Sequence, residues 1–114
     1  MKLVRVFPER LDIGLYRDEA KRISEFHGST VQLGTDDDIR ASVLAHARER
    51  GWESGDVGRV VMASRMGDVG LSKILDATHG YSLRVYPECL EVIGDDEAER
   101  IVSEWKKSLT NRKR

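Results

Sequence analysis

The feature that most constrains the fold is a pair of matching Pro-Glu corners near the two ends of the chain. Arg5-Val6-Phe7-Pro8-Glu9-Arg10-Leu11-Asp12-Ile13 reads against Arg84-Val85-Tyr86-Pro87-Glu88-Cys89-Leu90-Glu91-Val92, with five of nine positions identical and three conservatively exchanged. The match resumes one residue out of step, where Asp18-Glu19-Ala20-Lys21-Arg22-Ile23 answers Asp96-Glu97-Ala98-Glu99-Arg100-Ile101. Proline fixes φ and carries no N–H, so each corner suits a turn or a strand end rather than a strand centre. Val4 and Val6 alternate before the first corner and Leu11 and Ile13 after it; Leu83, Val85, Leu90 and Val92 do the same around the second. That period of two is a strand signal. Acids then open a helix in each copy, at Asp18-Glu19 and at Asp95-Asp96-Glu97, where they complement the positive helix end. Ala20, Ile23 and Phe26 mark the buried face of the first helix; Ala98, Ile101, Val102, Trp105 and Leu109 mark that of the last. Each end is therefore expected to be a ββα unit, and the pair suggests a duplicated, pseudo-twofold domain.

Two simpler strand–helix units are expected between them. Thr30–Leu33 is a strand candidate closed by Gly34, and Thr35 with Asp38 has capping-box spacing at the start of a helix. Ile39, Val43, Leu44 and Ala47 form its apolar stripe, and Gly51 ends it. The β-branched run within Arg59–Ser64 reads as a buried strand, and Leu71, Ile74, Leu75 and Thr78 as one face of a further helix. The expected class is α/β (α+β), a mixed sheet with helices in the order ββα-βα-βα-ββα. A winged-helix-like alternative makes 36–50, 56–66 and 69–79 helices and 82–93 a hairpin, at a cost of about 1 kcal/mol for Gly58 inside a helix.

With 114 residues, 39% hydrophobic and 34% charged, the chain suits one domain with an apolar core, here 1–109 with a basic tail at 110–114. No apolar run reaches the roughly 18 residues of a membrane span. Met1-Lys2-Leu3 leads straight into a strand pattern, so no leader is expected. A single cysteine, Cys89, cannot form an internal disulfide and fits a reducing cytosol.

Candidate chemistry is sparse. Ser64, Arg65, Gly67, Gly70, Ser72 and Lys73 would form an anion site if a strand ended and a helix began there, since free N–H groups and the helix dipole attract phosphate. The spacing is neither the P-loop nor the dinucleotide pattern. His27 and His79 each precede a glycine and suit helix C-termini, and no His/Cys set has zinc spacing, so neither a metal nor a cofactor is expected. Arg5, Arg84, Lys106, Lys107, Arg112, Lys113 and Arg114 are the candidates for nucleic-acid phosphates, although a balanced net charge of −1 argues against a large basic face. Trp52 and Trp105 are candidate interface anchors. Without a coherent catalytic set, the expectation is a small cytosolic, non-catalytic interaction or regulatory module that self-associates as a homodimer. Nucleic-acid binding and a nucleotide-binding Gly67–Lys73 turn are the rivals.

Overall fold

The computed structural model describes residues 2–30, 32–64, 67–73 and 82–112, with side chains to 108. Strand β1 (Leu3–Val6) runs into a first 3₁₀ corner, Pro8–Arg10, and then helix α1 (Ile13–Phe26). Helix α2 (Asp36–Glu49) and strands β2 (Val57–Ala63), β3 (Val69–Lys73) and β4 (Leu83–Val85) follow. A second 3₁₀ corner, Pro87–Cys89, leads to β5 (Leu90–Val92) and helix α3 (Asp95–Arg112).

The strands form one sheet in the order β4-β3-β2-β1-β5, with every described pairing antiparallel. The α/β class holds, while the element order departs from ββα-βα-βα-ββα in three places. Leu11–Ile13 is not a second strand, because β2 and β5 already occupy both sides of β1 and Asp12 caps a helix at once. The Asp12 side chain accepts from the Leu15 N–H at 3.1 Å, so α1 starts well before Asp18-Glu19. Thr30 and the 32–33 pair are not strand either, and Leu33 instead packs its side chain against the core.

The third departure is the largest. Val69–Lys73 is a strand in an antiparallel ladder with β2, not the start of a helix, and 74–81 lies outside the described residues. The winged-helix alternative fails on the same two strands, and its 82–93 hairpin fails because β4 and β5 lie at opposite edges of the sheet. The terminal units therefore take inequivalent places, β1 inside the sheet and β4 at its edge. The two corners do share a local form. Each begins with proline, and the N–H groups of Leu11 and Leu90 close back onto the Pro8 and Pro87 carbonyls.

Only Tyr86–Cys89 separates β4 from β5. Five Cα steps reach at most about 18 Å, and a 3₁₀ turn rises only about 2 Å per residue. Four inter-strand gaps in a flat sheet would need about 19 Å. The sheet must therefore curl until its edges approach one another at the corners. The corners meet there: the Phe7 N–H donates to the Cys89 carbonyl at 2.8 Å, and the Cys89 thiol lies 3.8 Å from the Pro8 carbonyl.

Inside the curl, Val4, Val6, Leu11, Ile13, Ile39, Ala47, Leu71, Leu83, Val85 and Cys89 gather around Trp52. The indole is completely buried and its N–H donates to the Ser82 hydroxyl at 3.0 Å. Gly58 makes room for it, since a Cβ there would stand 2.8 Å from the ring edge. On the other face of β1, Leu3 is buried and Arg5 bonds Glu97 of α3 at 3.0 Å. Strand alternation thus gives β1 to two layers. The expected capping box of α2 is present, with the Asp38 N–H on the Thr35 hydroxyl at 3.2 Å and the Thr35 N–H on the Asp38 carboxylate at 3.0 Å. Those bonds hold the Asp38 carboxyl below its ordinary range.

Candidate functional site

Helix α1 crosses the second corner and leaves a groove of about 470 Å³ between them. Its floor is apolar and aromatic: Leu11, Leu15 and Tyr16 from one side, Tyr86 and Pro87 from the other. Among the described residues its rim carries Asp12, Asp18, Glu19 and Glu88 against one base, Arg22. A second hollow of about 360 Å³ shares Tyr16, Glu19 and Tyr86 and continues past Ala20 and Ile23 to Leu33.

Local structure explains the arrangement. The cap at Asp12 fixes where α1 begins, and the Glu88 carboxylate accepts the Asp12 N–H at 3.4 Å, joining the helix start to the second corner. Two turns further, the Tyr86 hydroxyl donates a hydrogen bond to the Glu19 carboxylate. That bond, reinforced by partial burial and by the Glu19, Asp68 and Glu88 charges, pushes the Tyr86 phenol up to about 12. Tyr86 therefore remains a neutral donor throughout the physiological range, and its ring is held upright as a wall of the groove.

Along these hollows and past them α1 exposes Leu15, Ile23 and Phe26, at 63%, 51% and 86% of their surface. The expected inward placing of Ile23 and Phe26 is thus incorrect. The core side of α1 is taken by Ile13 and Ser24, with Tyr16 and Ala20 half-buried between them. Six apolar positions spread over more than one face of a single helix, so one set had to be left outside. His27 caps the C-terminus before Gly28, whose φ is +67°, as the sequence leads one to expect.

The other candidate residues are dispersed. Ser64 and Gly67 lie in the connection of the β2–β3 hairpin, and Gly70, Ser72 and Lys73 lie on β3, so no helix N-terminus stands behind them. Arg65 lies outside the described residues. Ser72 is completely buried, and Lys73 pairs with Asp56 at 3.2 Å while lying 5.3 Å above the Trp52 ring. Arg84 clamps the buried Asp68 carboxylate with an Nε bond of 2.6 Å. Burial alone would raise that carboxyl, but the Arg84 and Ser64 hydrogen bonds outweigh it and hold it below its ordinary range.

Arg5 is likewise engaged, with Glu97 and the Gly55 carbonyl. Lys106 and Lys107 are exposed on α3, Arg112 ends that helix, and Lys113 and Arg114 lie outside the described residues. Arg5 and Arg84, two of the candidate phosphate contacts, are thus both engaged with carboxylates of the chain itself. Trp52 belongs to the core rather than to a surface, and Trp105 is half-buried on α3. Among the described residues no group of three or more His, Cys, Asp or Glu could hold a metal ion, and no helix is long and apolar enough to cross a membrane.

The groove itself escaped the sequence reading because Tyr16 and Tyr86 are distant in the chain. The nearest signal was the pairing of Phe7 with Tyr86 beside the two corners. Their fates differ, since Phe7 is covered by the Arg10 guanidinium at 3.8 Å and Tyr86 opens onto the groove. Compared with known proteins, the chain matches no protein-family model, no curated protein and no solved structure.

Proposed function

We propose that the protein is a small, non-catalytic interaction module that binds an apolar, basic segment of a protein partner in the groove between α1 and the second corner. One observation carries the reading: an apolar floor walled by two tyrosines lies under a rim that, among the described residues, has four carboxylates and one arginine. Apolar burial supplies affinity, and the tyrosines add rigid amphipathic contact area. The rim selects the partner, since an acidic ligand would meet like charges while Lys or Arg would meet complementary ones. The Glu19–Tyr86 bond keeps the wall in place before binding, which lowers the ordering cost. The buried, reduced Cys89 is compatible with a reducing compartment such as the cytosol.

Fluorescence anisotropy with short labelled peptides, in which one Phe or Leu is flanked by Lys and Arg, tests this directly. The basic peptides are expected to bind, more weakly as salt is added, and acidic counterparts are not. Tyr86→Ala should abolish binding, whereas Val92→Ala, on the exposed end of β5, should not. Equal binding of acidic and basic peptides, or none of either, refutes the reading.

A further inference from the structure

Helix α1 carries a self-complementary face. Leu15, Glu19, Arg22 and Phe26 follow one another at intervals of four, three and four residues. At about 100° per residue they fall within about 60° of arc, and the spacing is that of a coiled-coil seam. The order is apolar, acidic, basic, apolar, so it reads as its own complement when reversed.

From this we infer that the partner seated on the groove is a second copy of the chain, docked through an antiparallel α1–α1 contact. The inference rests on the proposed interaction role of the groove and names its occupant. A twofold axis between residues 20 and 21 sets Leu15 of each copy against Phe26 of the other, and Glu19 against Arg22 of the other. Charge complementarity and apolar burial are thus both satisfied twice by one symmetric operation. Leu15 and Arg22 also line the groove, so Phe26 of one copy arrives at the groove mouth of the other. A phenylalanine with 86% of its surface exposed becomes an anchor in a pocket, the usual form of an interface hot spot. The Tyr86 hydroxyl engages one oxygen of Glu19 and holds that carboxylate in position for the incoming guanidinium. A seam of four residues per helix is smaller than the ~1,200 Å² of a standard interface, so the dimer is weak and concentration-dependent.

Cross-linking and sedimentation test this together. Leu15 and Phe26 are about 16 Å apart along one helix, too far for a disulfide within a chain. The L15C/F26C variant should oxidise to a covalent dimer. L15C or F26C alone should not, because the twofold separates like positions by the same distance. Both positions are exposed, so folding is not at stake, and Cys89 is buried in every variant. In sedimentation equilibrium the unmodified chain should dimerise as concentration rises, and Phe26→Asp should weaken the dimer by about tenfold or more. Single-cysteine variants that cross-link as readily as the double, or a strict monomer at every concentration, overturn the inference. A monomer that still binds the basic peptides through Tyr86 leaves the groove reading standing without this partner. A monomer that binds none removes both.

Discussion

Gly58→Ala should destabilise the protein although its backbone poses no obstacle. Gly58 lies in β2 with φ outside the left-handed region, so alanine would ordinarily gain about 0.4–1 kcal/mol by restricting the unfolded chain. The new Cβ would lie 2.8 Å from Trp52 Cη2 and 3.0 Å from Cζ3, and the next neighbour is Leu71 Cβ at 3.6 Å. Trp52 has no slack, being fully buried and tied by its N–H to Ser82. Overpacking of a rigid core costs about 1–3 kcal/mol, so the clash outweighs the entropic gain and the net loss is about 0.5–2 kcal/mol. With a urea m-value of about 1–2 kcal/mol/M, the unfolding midpoint should fall by about 0.5–1 M. Gly14→Ala is the control: its Cβ meets only the Asp12 carboxylate at 3.4 Å, on an exposed turn of α1, and it should raise stability by up to about 1 kcal/mol. Trp52→Phe supplies the decisive arm. It removes the two clashing ring atoms, so its cost should be smaller by about 1 kcal/mol in the Gly58→Ala background than in the parent. Additive losses, or a Gly58→Ala protein as stable as the parent, would refute the packing argument.

Two titratable groups give further expectations. The Tyr86 phenol ionises near 10 when unfolded and near 12 when folded, so its contribution to stability is complete below pH 10 and is lost as pH rises toward 12. Ultraviolet titration should show a late phenolate component, absent from Tyr86→Phe, that moves toward 10 in Glu19→Gln, and alkaline urea melts of Tyr86→Phe should be flatter over that window. Burial, followed by the Glu88 and Glu9 charges, pushes the Cys89 thiol up to about 11. A thiol-reactive chromogenic disulfide should therefore label the native protein far more slowly than the urea-unfolded chain, and equal rates would contradict the buried site.

The sequence was most informative where a local cause decides the structure. Pro8 and Pro87 each start a tight turn, Thr35 and Asp38 start α2, and the run at 57–63 is a strand despite its glycine. It misled where a neighbour decides. Leu11 and Ile13 alternate like a strand, but both positions beside β1 are already filled. Leu71 keeps helical spacing with later apolar residues, yet it pairs with Val60 across a hairpin and with Leu83 on its other side. Ile23 and Phe26 have the right period for a buried face, but the core admits only the Ile13–Ser24 side of α1. The groove joins residues seventy positions apart, Tyr16 and Tyr86, and a spacing pattern along the chain has no way to encode that meeting.

The place of β1 also sets the order of events during synthesis. It is made before the other four strands, yet one flank waits for Val57–Arg59 and the other for Leu90–Val92. No nascent fragment that stops short of β5 can complete the sheet, so β1 keeps one open side from the time β2 pairs with it until Leu90–Val92 has been translated. Pairings this remote close slowly, on the millisecond-to-second scale of roughly similar non-local topologies. The same geometry makes the folded sheet hard to open at β1, which is released only when both flanking strands let go.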